Sequence, residues 1–309
     1  MSTVFTSADQ LIGHTPLLEL RNVAREKGLR ARVLGKLEYF NPAGSAKDRI
    51  ALSMIEDAES RGVLKPGSTI IECTSGNTGI GLASVAARRG YRVVIAMPET
   101  MSPERRLVME AYGARVVLTP GEKGVHGAVE KAEELAATIE NSWLAGQFVN
   151  PANPAAHEAS TGPEIYEDTD GEVDFFVAGV GTGGTLTGTG RYLKSRNPGV
   201  KVVAVEPTGS AILSGGEDGP HSIQGIGDGF VPEVLDTDLY DEVIPVTDED
   251  AVEAARLVGR REGILVGTSS GAALWAAMEL ARRPENEGKT IVALLPDTGD
   301  RYLSTGLFA

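Results

Sequence analysis

The sequence predicts an α/β protein with two open, twisted, mostly parallel sheets flanked by helices. Short apolar runs alternate with helix-like segments along the 309 residues, which is typical of β-α-β units and of parallel sheets covered on both faces. The alternation stops near residue 150 and then starts again. The two series therefore predict two α/β domains with a cleft between them.

The first series contains four predicted strands separated by helices. Ile50, Met54 and Ala58 recur at helical spacing in its first helix, and Gly90 is expected to end the second. Ser102 precedes a proline and a glutamate, which predicts an N-cap and a further helix start. Strands are predicted at 31–39, 68–73, 92–98 and 114–120, and helices at 46–61, 78–89 and 127–140.

The second series repeats this pattern with a longer interruption. A proline after Asn153 can open a helix, and Thr247 to Asp250 outlines a capping box before another. Residues 209–232 are rich in Gly, Pro and Ser and predict a long loop. Strands are predicted at 173–180, 200–207 and 290–296, with a helix running to about residue 196.

Composition narrows the class of protein. The net charge of −14 disfavours a nucleic acid or an anionic membrane as partner, because phosphates require a basic face. No apolar stretch approaches a membrane span and no secretory signal is present, so we expect a cytoplasmic enzyme. Cys73 is the single cysteine, and His126, His157 and His221 lack metal-ligand spacing, so no metal site is expected.

A hydroxyl- and amide-rich stretch, Thr74 to Gly79, follows the predicted strand 68–73. In open α/β sheets, ligands bind at the carboxyl ends of strands and near helix N-termini, where free N–H groups attract anions. The stretch therefore predicts a cradle for a carboxylate or phosphate. An ordinary strand–helix turn capped by Asn77 is the alternative.

A glycine loop follows the predicted strand 173–180. Gly179, Gly181 and Gly184 fit the dinucleotide fingerprint, and Glu206 lies where a ribose-binding acid is expected, so an NAD-dependent dehydrogenase is one interpretation. However, the glycines are densest from Gly181 to Thr185. Two threonine hydroxyls and a run of backbone amides suit a single terminal phosphate.

Lys47 is placed at a predicted helix start, directly after a Gly-Ser-Ala turn. A helix N-terminus is electrostatically poor for a cation, which favours a functional reason for the lysine. In a desolvated cleft, a lysine amine can form a Schiff base with a carbonyl group. A solvated surface lysine is the alternative.

Taken together, these segments resemble the cysteine synthase (O-acetylserine sulfhydrylase) family, which belongs to pyridoxal-phosphate fold type II. The likeness covers nearly the whole chain, and the order and spacing of its motifs make it specific. The motifs are residues 12–17, NPAGSAKDR (41–49), TSGNTGIGLA (74–83), MPETMSPERR (97–106), GPEI (162–165), GVGTGGTLTG (179–188), IQGIGDGF (223–230), SSGAA (269–273) and DRYLST (300–305).

The resemblance implies a role for each matching position. Lys47 would bind pyridoxal 5'-phosphate covalently, Asn77 would contact the ring hydroxyl, and Ser270 would face the pyridine nitrogen. The residues implied for the cofactor phosphate are Gly181, Thr182, Gly183, Gly184 and Thr185. The residues implied for the substrate carboxylate are Thr74, Ser75, Asn77, Thr78 and Gln147.

The implied reaction converts O-acetyl-L-serine and sulfide to L-cysteine and acetate by β-replacement through an aminoacrylate. O-phosphoserine sulfhydrylase and cystathionine β-synthase-like activities remain alternatives. The resemblance also implies a homodimer, and a partner in the C-terminal tail of serine acetyltransferase. It implies a smaller mobile domain at 40–152 that carries the carboxylate loop, and a larger domain at 1–39 and 153–309 that carries the phosphate loop.

Overall fold

The computed structural model describes residues 4–309, and within them ten strands form two sheets. The strands are β1 Leu17–Glu19, β2 Arg32–Leu37, β3 Thr69–Cys73, β4 Arg92–Pro98, β5 Arg115–Thr119, β6 Ser142–Leu144, β7 Phe175–Gly179, β8 Lys201–Pro207, β9 Glu242–Val246 and β10 Thr290–Leu295. The helices are α1 Arg21–Lys27, α2 Lys47–Ser60, α3 Asn77–Arg89, α4 Pro103–Ala111, α5 Gly124–Thr138, α6 Ala152–Ala159, α7 Thr161–Asp168, α8 Gly184–Arg196, α9 Asp248–Glu262 and α10 Thr268–Arg282.

The two sheets confirm the predicted fold class. The large sheet has the strand order β1-β2-β10-β7-β8-β9, and the small sheet has the order β5-β4-β3-β6. Among these pairs only β1 and β2 are antiparallel, and every other pair in the described chain is parallel. Every residue of β3 and β10 is buried, as expected for central strands covered by helices on both faces.

Three strands that the sequence pattern did not predict, β1, β6 and β9, all lie at sheet edges. The first and second contain three residues each, and the third contains Pro245. Short length and a proline are typical of edge strands, and they weaken the apolar run on which strand prediction depends.

Most predicted helix boundaries are confirmed. Gly90 ends α3 in the left-handed conformation, and the Thr247 hydroxyl accepts a hydrogen bond from the Asp250 N–H at 3.1 Å. The predicted cap at Ser102 is wrong in one respect. Its hydroxyl donates to the Arg301 carbonyl at 2.9 Å and makes no capping bond to a backbone N–H of α4.

The strand order places the chemistry-bearing loops at one cleft. The carboxyl end of β3 leads into α3, the carboxyl end of β7 leads into α8, and α2 begins at Lys47. Within residues 4–309, no helix combines the length and apolar character needed to cross a membrane.

Candidate active site

The cleft between the two sheets brings together most of the residues singled out from the sequence. Ten of the twelve line it: Lys47, Thr74, Ser75, Asn77, Thr78, Gln147, Gly181, Thr182, Gly183 and Thr185. They come from separate parts of the chain, and Lys47 and Gly181 are 134 residues apart (181 − 47 = 134). The convergence is therefore a product of the fold and not of sequence proximity.

The loop after β3, residues 74–78, is held by hydrogen bonds to a distant glutamine. The Thr78 hydroxyl donates to Gln147 Oε1 at 2.5 Å, and Gln147 Nε2 donates to the Cys73 carbonyl at 2.8 Å. Within the loop, the Gly76 N–H donates to Thr74 Oγ1 at 3.0 Å. Gly76 has φ 148, where a side chain would be strained, and its added Cβ would lie 2.6 Å from Arg105 Cδ.

The buried carboxylate of Glu72 holds the backbone of the same glutamine. Glu72 lies in the middle of the small sheet and accepts hydrogen bonds from the Cys73 N–H at 2.9 Å and the Gln147 N–H at 3.1 Å. Burial raises the pKa of its carboxyl group to about 7. The sequence analysis missed Glu72, and its only signal was an acidic residue inside an apolar strand.

Asn77 is oriented by a polar cluster from the C-terminal part of the chain. Its Nδ2 donates to Asp297 Oδ2 at 2.8 Å, and its Oδ1 accepts from Arg105 at 3.1 Å and Arg301 at 2.5 Å. The Tyr302 hydroxyl donates to the same Asp297 oxygen at 2.8 Å. The charged turn at 296–301 was visible in the sequence, but nothing there linked it to residue 77.

The loop after β7, residues 181–185, is defined by close backbone packing. A Cβ on Gly181 would lie 2.3 Å from the Gly225 carbonyl oxygen, and Gly183 has φ 81. The first N–H of α8, from Gly184, donates to Thr182 Oγ1 at 3.4 Å, but the N-cap Gly183 provides no side-chain cap, so the N–H groups that follow are available to an anion. The Thr185 hydroxyl is within 3.1 Å of the buried His157 Nε2, and Thr182 Oγ1 accepts from Asn153 at 3.0 Å.

Two of the predicted site residues lie outside the cleft lining. A Cβ on Gly184 would lie 1.9 Å from Asn153 Oδ1, so this glycine is required for packing between α6 and α8. Ser270 is fully buried in the first turn of α10. Its hydroxyl has no hydrogen-bond partner among the described residues, which is unusual for a buried polar group.

Glu206, the acid of the dinucleotide fingerprint, already accepts hydrogen bonds from the loop that follows β8. Glu206 is only 2% exposed, and it accepts hydrogen bonds from the N–H groups of Leu213 at 2.7 Å and Ser214 at 3.0 Å. It therefore acts as an anchor for the loop after β8. A ribose hydroxyl would have to displace two backbone donors, so the geometry disfavours the NAD-dependent dehydrogenase.

Lys47 opens α2 at the floor of the cleft. The preceding residue, Ala46, donates its N–H to the Pro296 carbonyl at 2.8 Å. Burial lowers the pKa of the Lys47 amine, an effect that the nearby carboxylates of Asp228, Asp297 and Glu38 partly oppose. A lysine with a lowered pKa in a cleft is a candidate nucleophile or base.

An ion-pair network ties the first turn of α2 to the large sheet. The Arg49 guanidinium donates to Glu38, which follows β2, at 2.8 and 2.9 Å and to Glu164 of α7 at 2.7 Å. Lys36, which is fully buried in β2, pairs with the same Glu164 at 2.9 Å. These contacts anchor the first turn of α2 to the end of β2 and to α7, and so restrict the position of Lys47 relative to the loop at 181–185.

Comparison with known proteins agrees with this geometry. The family model described as pyridoxal-phosphate dependent enzyme matches residues 8–297. A cysteine synthase of Staphylococcus aureus is 54% identical over 302 residues, which is 97% of this chain and 96% of that protein.

Two crystal structures show the same fold. Cysteine synthase from Entamoeba histolytica has a TM-score of 0.95 at 48% identity, covering 99% of this chain and 91% of that one. An O-acetylserine dependent cystathionine beta-synthase from Helicobacter pylori has a TM-score of 0.93 at 41% identity, covering 100% of each chain. Since the family model spans almost all of the sequence, the chain belongs to the pyridoxal-phosphate dependent enzyme family.

Proposed function

We propose that the chain is a cysteine synthase, a transferase that makes L-cysteine and acetate from O-acetyl-L-serine and sulfide. The observation that carries this proposal is the position of Lys47 in one cleft with two anion cradles of different chemistry. One cradle offers hydroxyl and amide groups, and the other offers glycine backbone. The similarity of the whole chain to the Staphylococcus aureus cysteine synthase supports the same activity.

The residues of the cleft fit pyridoxal phosphate. The unpartnered, buried Ser270 hydroxyl matches a partner for the pyridine nitrogen, and the uncapped start of α8 matches a phosphate. Residues 181–185 would hold the phosphate, Asn77 the ring hydroxyl and Lys47 the aldehyde carbon. When bound, the cofactor supplies an electron sink for the α-carbon of an amino acid.

The loop at 74–78 would bind the carboxylate of the amino acid. Thr74, Ser75 and Thr78 provide hydroxyl groups, and the start of α3 provides backbone N–H groups. Gln147 would complete the site, and its bonds to Thr78 and Cys73 already hold it in place. Fixing the carboxylate sets the position of the α- and β-carbons relative to Lys47.

Lys47 would remove the α-proton of the substrate. Burial lowers the pKa of its amine and so increases the neutral fraction that can accept a proton. As the α-proton moves to Lys47, acetate leaves the β-carbon with the electron pair of the C–O bond. Sulfide then bonds to the β-carbon, and the proton on Lys47 returns to the α-carbon.

Closure of the cleft would protect this chemistry from water. The proposed mobile domain, residues 40–152, carries the carboxylate loop, and the proposed larger domain, residues 1–39 and 153–309, carries the phosphate loop. A bound carboxylate would draw the first toward the second, because both the loop and the cofactor contact the substrate.

A phosphate leaving group is less well supported than acetate. It would require a cation directed into the cleft, but Arg105 and Arg301 near Asn77 are engaged by Asp297, Tyr302 and the Ala43 carbonyl. Homocysteine as the nucleophile stays a second candidate, because the similar Helicobacter pylori protein is named an O-acetylserine dependent cystathionine beta-synthase.

One assay tests the proposed function. The purified protein is incubated with sulfide and either O-acetylserine, O-phosphoserine or serine, and cysteine formation is measured. We expect O-acetylserine to give the highest rate. Borohydride reduction followed by digestion and mass spectrometry should find a pyridoxyl group on the peptide that contains Lys47. Faster turnover of O-phosphoserine, or a pyridoxyl group elsewhere, would contradict the assignment.

We further propose a homodimer in the cytoplasm that binds the C-terminal tail of serine acetyltransferase. The carboxylate loop supports tail binding, because a C-terminal carboxylate presents the same group as the substrate. Light scattering measures the molar mass in solution and so tests the dimer. Titration with a peptide that ends in a free carboxylate, compared with its C-terminal amide, tests the tail, and equal binding of both peptides would contradict it.

A further inference from the structure

One buried arginine connects helix α4 to the residue that we assign to the cofactor ring. Arg105 is one of the largest side chains that the described residues bury completely. Its guanidinium donates to Asn77 Oδ1 at 3.1 Å, to the Tyr302 hydroxyl at 2.6 Å and to Asp297 Oδ2 at 3.5 Å. Because taking a cation out of water is costly, this position calls for an explanation beyond packing.

The contacts of Arg105 leave its side chain little freedom to move. Its Cδ packs so closely against Gly76 that a Cβ there would lie 2.6 Å away, and its guanidinium carbon lies 5.0 Å from the centre of the Tyr302 ring. One residue earlier in α4, the Glu104 carboxylate accepts hydrogen bonds from the N–H and the hydroxyl of Ser304, both at 2.8 Å. The start of α4 is therefore joined to the C-terminal segment that carries Tyr302.

The partners of Asn77 allow its side-chain amide only one orientation. Its Oδ1 accepts from the guanidinium groups of Arg105 and Arg301, and its Nδ2 donates to Asp297 Oδ2 at 2.8 Å. Turning the amide over would place N–H groups against two cations and its oxygen against a carboxylate. Because such a reversal loses three charge-assisted hydrogen bonds at once, the oxygen stays on the side of the arginines.

One amide proton of Asn77 is left for a ligand. The nitrogen of an asparagine amide carries two protons, and among the described residues only Asp297 accepts a hydrogen bond from it. Asn77 also lines the inner cleft, together with Lys47 and Thr78. Since the amide oxygen is already occupied by two donors, an oxygen atom of a ligand next to Asn77 meets the remaining N–H.

The cluster behind Asn77 carries an excess of positive charge. It contains two guanidinium groups, from Arg105 and Arg301, and the single carboxylate of Asp297. Burial raises the pKa of the Tyr302 hydroxyl, so this group stays neutral and adds no negative charge. The other titratable groups that interact with members of the cluster are Lys47 and Asp48. A nearby positive charge favours the ionised form of an acidic ligand group beside Asn77.

We propose that Arg105 is a positioning residue that acts through Asn77 and keeps an amide N–H, and not the amide oxygen, toward the ring oxygen of the cofactor. This inference rests on the proposed function, which assigns the ring hydroxyl to Asn77. The guanidinium draws electron density from the amide oxygen and so strengthens the N–H as a donor. The ring oxygen is thereby stabilised as an anion, although Arg105 does not itself contact the cofactor.

A cofactor analogue that lacks the aldehyde isolates this contact from covalent chemistry. Deoxypyridoxine phosphate carries a methyl group in place of the aldehyde, and its ultraviolet absorbance changes when the ring hydroxyl loses its proton. The analogue is bound to the cofactor-free, full-length chain, and the midpoint of the absorbance change is measured across pH. We expect Arg105→Gln to raise this midpoint by about one pH unit, because the ring anion loses a nearby cation.

A double-mutant comparison tests whether Arg105 acts through Asn77. In a chain that carries Asn77→Ala, the further change Arg105→Gln should shift the midpoint less, because the amide that transmits the effect is absent. An equal shift in both backgrounds would mean that the arginine acts by charge alone, and the positioning role would be wrong.

Two further variants control for loss of charge and loss of structure. Arg106→Gln removes the same charge from the next position of α4, where the side chain is 43% exposed, and should leave the midpoint unchanged. Tyr302→Phe keeps the aromatic ring but removes the hydroxyl that accepts from Arg105, so this milder variant should raise the midpoint by a smaller amount.

The outcomes separate this inference from the proposed function. An unchanged midpoint in both Arg105→Gln and Tyr302→Phe, or an equal rise in Arg106→Gln, would overturn the inference. If no cysteine forms from O-acetylserine and sulfide, the proposed function fails, and the midpoints still decide whether Arg105 acts on the ring oxygen.

Discussion

The two anion cradles of the cleft are built in different ways. The loop at 74–78 depends on side chains, which are held by hydrogen bonds to Gln147 and to the Asp297 cluster. The loop at 181–185 depends on backbone, because a Cβ on Gly181 would meet the Gly225 carbonyl. One cradle is set by polar contacts that can be made and broken, and the other by steric fit.

This difference matches the ligands that we assign to them. A cofactor that stays bound through many turnovers needs a permanent site, which close backbone packing provides. A substrate that enters and leaves at each turnover needs donors that can exchange partners, which hydroxyl and amide side chains provide. Substitutions in the two loops should therefore have distinct consequences.

Lys47 lies between the cradles, and its removal should have the largest effect. We expect Lys47→Ala to fold, since alanine is favourable in a helix, but to lose at least about 10³-fold in turnover and the visible absorbance of the attached cofactor. Absorbance spectra and the cysteine assay measure both losses. Lys65→Ala, at an exposed position, is the control. An active, coloured Lys47→Ala protein would refute the assignment.

Gly181→Ala should break the backbone cradle. Its Cβ would lie 2.3 Å from a carbonyl oxygen of Gly225 that no side-chain rotation can relieve. We expect cofactor affinity to fall by more than about 100-fold, measured by titration of the cofactor-free protein. Gly199→Ala, whose Cβ meets only the side chain of Asn197, should bind normally. Normal cofactor affinity in Gly181→Ala would show that the loop moves to accommodate the added methyl group.

Glu72→Gln should change how stability depends on pH. The raised pKa means that the native state binds the Glu72 proton more tightly than the unfolded chain between pH 4.5 and about 7. The free energy of unfolding contributed by Glu72 therefore falls as pH rises through that window, by about 3 kcal/mol at most. Denaturant titrations at pH 5 and 7 should show a shallower fall in Glu72→Gln.

The exposed Glu140→Gln is the matched control for this measurement. If Glu72→Gln and the natural sequence lose the same stability between the two pH values, Glu72 does not titrate in this range.

Thr78→Val should have the smallest effect and should be confined to the side-chain cradle. It removes the donor to Gln147 Oε1 while preserving shape, which costs about 1 kcal/mol for a buried hydrogen bond. We expect KM for O-acetylserine to rise by about 5- to 10-fold, with cofactor affinity unchanged. Steady-state kinetics and cofactor titration separate the two quantities.

Thr138→Val, in an exposed turn of α5, controls for loss of a hydroxyl. If the fall in cofactor affinity in Thr78→Val is as large as the rise in KM for O-acetylserine, the two cradles are not independent.

Local patterns predicted seven of the ten strands in the described residues. They also predicted both loops, because a strand followed by small polar residues and a helix marks a ligand site in this class of fold. Contacts between distant residues had no local signal. Asn77 and Asp297 are 220 residues apart, and the sequence gives no reason to join them. Gln147 entered only through the family resemblance. The roles assigned to these residues remain predictions until the substitutions are measured.

Glycines illustrate a second limit. Gly181 and Gly184 look alike in the sequence, but the first borders the cleft and the second packs against Asn153. Glycine is required in both places because space is short, whether a neighbouring loop or a neighbouring helix occupies that space. Asp228 was similarly visible in the sequence, but only the folded loop places its carboxylate in the cleft.

The anchoring of Arg49 to Glu38 and Glu164 has a consequence for catalytic motion. Both carboxylates belong to the part of the chain that we assign to the larger domain, and Lys47 lies two residues from Arg49. Within the proposed mobile segment 40–152, these bonds would hold the first turn of α2 with the larger domain, so the moving part would begin after Arg49 and the Lys47 amine would stay in place. Each cycle would swing the substrate toward an amine that does not move.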